Sequence, residues 1–70
     1  MDIFQIHQEF NWVNKVLFSA QTRKHIECSV NLFNNFMNKW RFDMTEDLKI
    51  TFKKDFNENC LYQTEKVVSL

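Results

Sequence analysis

The first twenty positions carry apolar residues at alternating spacings of three and four. These residues are Ile3, Ile6, Phe10, Val13, Leu17 and Ala20. Such spacing places them on one face of a helix. Asp2 is a candidate N-cap, and Asn11 offers a second start if the helix begins later. Residues 2–6 could instead be extended.

The second apolar pattern is the clearest in the chain. Its positions are Ile26, Val30, Phe33, Met37 and Trp40, with Ser29, Leu32, Phe36 and Met44 widening or extending it. The opposite face consists of Lys24, Glu27, Asn31, Asn34, Asn35 and Asn38. With Thr22 as N-cap, this pattern predicts a long central helix over about 23–41.

The last third of the chain gives a mixed signal. Thr45 followed by two acidic residues predicts a helix start, and Leu48, Phe52 and Phe56 then share one face. The same stretch alternates between apolar and polar residues, so 47–54 could be a strand instead. A further helix is predicted to start near residue 57 or 59 and to run to the C-terminus.

Composition favours helices over sheets. The 70 residues include no Gly and no Pro, so the usual tight-hairpin signals are missing. The length allows one domain, residues 1–70. We therefore predict an all-α fold, a single small bundle of three to four helices around the segment 23–41.

The residues that could carry chemistry are few. His7, His25, Cys28 and Cys60 would together make a zinc-type ligand set, but they are scattered and form no CxxC spacing. His25 and Cys28 lie three positions apart without a convergent acid. The sequence therefore predicts no enzyme activity, no metal and no cofactor. Free thiols, no signal peptide and no bilayer-length apolar run predict a cytoplasmic chain with no membrane partner.

Charge does not single out a nucleic-acid binder. Nine basic and nine acidic residues give a net charge of zero. Basic side chains could still form a patch if the second and third helices pack side by side, and Arg41 lies between Trp40 and Phe42, a mixture that stacks on unpaired bases. Direct nucleic-acid binding is therefore the alternative to protein binding, in the form of a small helical regulator that is dimeric.

Aromatic residues are in surplus for so small a core. Eleven of the 70 residues are Phe, Trp or Tyr. Phe4 and Phe18 fall on a face away from the first apolar stripe, with Trp12 near it, and either line an interface or lie in a core that surrounds this helix. An interface of this kind would also suit a homodimer. The candidate partner-binding residues are Phe4, Trp12, Phe18, Arg23, Lys24, Lys39, Arg41, Phe42, Lys53 and Lys54.

The run from Phe10 to Ala20 and from Thr22 to Trp40 (FNWVNKVLFSA, TRKHIECSVNLFNNFMNKW) resembles small helical proteins of phages and mobile elements. In general character the chain is similar to anti-CRISPR inhibitors, a class without a common sequence. The resemblance implies a stoichiometric inhibitor that docks on an RNA-guided nuclease in the host cytoplasm. Near-zero charge favours docking on protein, or on protein with guide RNA, over DNA mimicry.

Overall fold

The computed structural model describes residues 3–68 and contains three helices in that range. Helix α1 spans Ile3–Phe18, α2 spans Arg23–Lys39 and α3 spans Glu46–Val68, and each packs against the other two. No strand occurs within these residues. The predicted all-α bundle is confirmed. It is elongated, with extents of 41 × 17 × 16 Å.

Helix α1 buries the predicted stripe. Ile6, Phe10, Val13 and Leu17 are all buried, whereas Ile3 at the helix start is 51% exposed. The helix runs without a break from Ile3, so a later start at Asn11 and an extended segment over residues 3–6 are both wrong. The candidate cap Asp2 lies outside the described residues.

Helix α2 begins as predicted and buries a slightly different face. Thr22 Oγ1 accepts a hydrogen bond from the His25 backbone N–H at 3.2 Å, which is an N-cap contact. Ser29 and Phe36, predicted at the edge of the stripe, are buried, while Val30 is only half-buried. Phe36 meets Phe10 of α1 at 5.9 Å and Phe52 of α3 at 5.6 Å, so the buried face of α2 meets both other helices.

Helix α3 corrects the two-helix prediction for the C-terminal third. One uninterrupted helix of 23 residues replaces the predicted pair, and the strand alternative for 47–54 is wrong. Thr45 Oγ1 accepts from the Leu48 N–H at 3.2 Å and so caps the start. Asn59, a predicted helix start, lies inside α3 and donates from Nδ2 to Asn14 Oδ1 at 3.2 Å. At 17 residues, α2 is shorter than α3.

Five phenylalanine rings from all three helices form the centre of the core. They are Phe10, Phe33, Phe36, Phe52 and Phe56. Phe33 and Phe56 are stacked with centroids 4.1 Å apart, and Phe10 lies 4.2 Å from Phe52. Rings at these separations add to the stability that burial provides.

The turns between helices explain how the chain manages without glycine. No residue within 3–68 has a positive φ angle, so neither turn uses the left-handed conformation that favours glycine. None of the helices in this range combines the length and apolar character that crossing a bilayer requires.

Candidate partner-binding surface

The turn between α2 and α3 carries the most exposed large apolar side chain among the described residues. Phe42 is 87% exposed. The Arg41 guanidinium carbon lies 4.7 Å from the centroid of the Phe42 ring, a cation–π contact between two exposed side chains. We call Arg41 and Phe42 together the aromatic corner.

The backbone that bears the aromatic corner is fixed on both sides. Before it, half-buried Trp40 packs against the core, and its indole N–H donates to Glu9 Oε2. After it, Met44 is 6% exposed, and the Asp43 N–H donates to the Trp40 carbonyl at 2.9 Å. Because the flanking residues are anchored, the Phe42 ring is presented on an ordered turn.

Glu9 is the residue that ties α1 to this turn. Its second carboxylate oxygen, Oε1, lies 2.6 Å from Lys39 Nζ. The hydrogen bonds from Lys39 and from Trp40 lower the pKa of the Glu9 carboxyl below its ordinary value of 4.5, against the opposing effect of partial burial. Lys39 Nζ also lies 5.0 Å from the centroid of the Trp40 ring. The Lys39 charge is thus compensated within the chain.

The other basic candidates do not gather into one patch. Arg23, Lys24, Lys53 and Lys54 are all exposed. The first two lie at the start of α2, roughly 25 Å along the helix axis from Arg41. The other two are neighbours in sequence on α3, so their side chains point about 100° apart. Among the basic candidates, all of which lie in the described part of the chain, Arg41 is the one with a cation–π contact to an exposed ring.

Trp12 lies on a different face, in a groove between α1 and α2 of about 500 Å³. The apolar lining comes from Trp12, Val13, Leu32 and Phe36, and the polar lining from Gln5, Gln8, Glu9, Asn35 and Lys39. The Trp12 side chain is 54% exposed. An apolar groove with a large aromatic wall is a common kind of docking site.

The remaining two aromatic candidates lie elsewhere. Phe18 is 43% exposed and meets Tyr62 of α3 edge-on, with centroids 6.3 Å apart. Phe4 is 67% exposed in the first turns of α1. Because α1 and α2 run antiparallel, Phe4 is at the same end of the bundle as the aromatic corner. Trp12 lines the groove between α1 and α2, whereas Phe18 meets Tyr62 of α3, so the two rings lie on different sides of α1.

The side chains considered for metal binding or catalysis are dispersed. His7 meets Phe52 edge-on at 5.4 Å, Cys28 is exposed and Cys60 is half-buried, both with free thiols. No group of three or more metal-ligating side chains converges within residues 3–68.

Sequence reasoning missed Glu9 as the contact that fixes the turn. Its partners Lys39 and Trp40 are 30 and 31 positions away, and no local pattern marks such a pair. The sequence also gave no reason to place Leu32 and Asn35 opposite Trp12, because that requires the packing of α1 on α2.

Comparisons with protein-family models, with curated proteins and with solved structures found no match to this chain.

Proposed function

We propose that this chain is a non-enzymatic binding protein that docks on a protein partner through the aromatic corner. The supporting observation is Phe42, an apolar ring that is 87% exposed on a turn anchored by Trp40 and Met44. The fold gains little from such a ring, whereas aromatic residues and Arg dominate the binding energy of interfaces. Because the turn is already ordered, docking costs little conformational entropy.

Affinity capture from lysate of the source cell tests this proposal. Wild type, Phe42→Ala, Arg41→Ala and the control Leu61→Ala are used as baits, with and without nuclease treatment. Leu61 is also exposed, at 65%, but lies 15 residues after the start of α3 at Glu46, roughly 22 Å along the helix axis. We expect one protein that survives nuclease treatment, is captured by wild type and Leu61→Ala, and is lost with Phe42→Ala. Equal capture by all four baits would refute the assignment to the corner.

The specific partner we propose is a prokaryotic RNA-guided defence nuclease, which the chain would inhibit stoichiometrically. Support comes from the resemblance in general character to anti-CRISPR proteins and from the neutral charge, which suits docking on protein. Purified chain is titrated into nuclease loaded with guide RNA, and cleavage of target DNA is measured. Inhibition should reach its maximum near one chain per nuclease. Unchanged cleavage across a panel of such nucleases would refute this partner.

Direct binding of single-stranded nucleic acid is the second candidate, supported by the Arg41–Phe42 contact at 4.7 Å. A base could stack on the ring while the guanidinium meets a phosphate. Fluorescence anisotropy with a labelled oligonucleotide at 50 and 200 mM salt distinguishes the candidates. Nucleic-acid binding predicts an affinity that falls steeply with salt. Absent or salt-insensitive binding would exclude this candidate.

A further inference from the structure

The groove between α1 and α2 reaches the aromatic corner only at its Glu9–Lys39 end, and it places an exposed aromatic ring beside a recess. We propose that a second copy of this chain occupies it, so that the Trp12 ring of each protomer enters the groove of the other. The face that we call the groove face is lined by Trp12, Val13, Leu32, Phe36 and the polar residues around them. A two-fold contact of this kind requires a projection and a recess on one surface.

Projection and recess are both present, and they are adjacent. Trp12 stands 54% exposed at one end of the groove, next to Leu32. The groove extends from there toward Lys39 and has a volume of about 500 Å³, large enough to receive an aromatic side chain. A two-fold axis near the middle of the face would therefore pair each ring with the recess of the other copy.

The polar groups of this face also suit a second copy. Gln8 and Asn35 are exposed at the rim, and each amide carries both a donor and an acceptor. An amide can thus pair with its own symmetry mate, which a carboxylate or an ammonium group cannot. The two charged lining residues, Glu9 and Lys39, already neutralise each other at 2.6 Å.

Size and net charge are compatible with the same occupant. The long faces of the molecule measure about 41 by 17 Å, so a contact that extends beyond the groove over most of one face can reach the roughly 800 Å² per partner that standard interfaces bury. A net charge of zero also means that two copies approach without long-range repulsion. A 70-residue domain buries little surface on its own, so a dimer would add to its stability.

Sedimentation equilibrium of the full chain at 1–500 μM tests the inference. We expect wild type to approach twice the monomer mass of 8.6 kDa. Trp12→Ala should weaken the dimer by roughly 30-fold or more, the loss typical of a central interface residue. Leu61→Ala is the matched control, because Leu61 is a 65% exposed apolar residue of α3, outside the groove between α1 and α2. This control should leave the dimer intact.

A second pair of variants probes the amide rim without removing apolar surface. Gln8→Glu brings two carboxylates together across the two-fold axis and should weaken the dimer, less so at high salt. Asn57→Asp makes the same kind of change at an exposed amide of α3, outside the groove, and should have no effect. A wild-type monomer at 500 μM, or a dimer that Trp12→Ala and Gln8→Glu leave unchanged, would overturn the proposal. Circular dichroism spectra confirm that each variant is folded.

Discussion

Truncating Phe10 should unfold most of the protein, because this ring contacts rings from the other two helices at once. It is 6% exposed and lies 4.2 Å from Phe52, 5.9 Å from Phe36 and 6.1 Å from Phe33. Replacing a buried Phe by Ala costs about 3–5 kcal/mol. A core of this size supplies about 3–5 kcal/mol in total, so Phe10→Ala should remove nearly all of the stability.

The assay is thermal and urea unfolding followed by circular dichroism at 222 nm. Phe42→Ala is the matched control, because it removes the same atoms from a ring that is 87% exposed. We expect this control to change the unfolding free energy by less than about 0.5 kcal/mol. Phe10→Leu retains most of the buried volume and should cost about 1–1.5 kcal/mol, which lowers the melting temperature by roughly 4–12 °C.

The comparison between the two truncations decides the argument. If Phe10→Ala melts within about 5 °C of wild type, the cluster of five rings is not what holds the helices together. If Phe42→Ala destabilises the chain as much as Phe10→Ala does, the turn is part of the core and the aromatic corner is not available for docking.

Three further changes probe the caps and the buried polar contacts. Thr22→Ala removes the N-cap of α2 and should cost about 1 kcal/mol in the urea-unfolding free energy. Glu9→Gln should cost about 0.2–1 kcal/mol at pH 7. Since the pKa of folded Glu9 is lowered, its contribution is present above the ordinary pKa of 4.5 and is lost as pH falls through the folded value, so wild type and Glu9→Gln should converge in unfolding curves at low pH. Gln63 is 3% exposed, donates from Nε2 to the Ala20 carbonyl at 2.6 Å and leaves Oε1 without a hydrogen bond. Gln63→Met removes the unpaired oxygen but leaves the buried Ala20 carbonyl without its donor, so the unfolding free energy should fall by about 1–3 kcal/mol.

Each of these has a contrary outcome. A Thr22→Ala variant as stable as wild type would mean that the His25 N–H is equally well satisfied by water. A constant difference between wild type and Glu9→Gln from pH 7 to pH 3 would show that the carboxylate charge is not what stabilises the contact. An unchanged unfolding free energy in Gln63→Met would imply that a water replaces the amide as donor to the Ala20 carbonyl.

Helix positions could be predicted from sequence because local spacing determines them. Neighbouring residues alone determine the apolar stripe that includes Phe10 and Leu17, and the same is true of the caps at Thr22 and Thr45. The structure confirms the stripe and both caps. The predicted break near Asn59 was wrong because Asn is only a weak helix breaker. Its side chain finds a partner in Asn14 of α1, which the sequence could not indicate.

The sequence predicted which residues are candidates for the binding surface but not which of them are exposed together. Exposure of Trp12, Phe18 and Phe42 depends on how the three helices pack, and so does the separation of these residues onto different faces. Helical spacing gives a direction around one axis but not which neighbouring helix lies there. The contact of Glu9 with Trp40, at the end of α2, likewise depends on which helix lies beside α1.

Site-specific photo-crosslinking tests the proposed docking surface most directly. Phe42 is replaced by p-benzoylphenylalanine, and in a parallel sample Leu61, far along α3, is replaced in the same way. Both are irradiated in lysate of the source cell, and the adducts are digested with nuclease and analysed by mass spectrometry. We predict a discrete nuclease-resistant protein adduct at position 42 and none at position 61. The absence of an adduct at position 42, or the same adducts at both positions, would contradict docking through the aromatic corner.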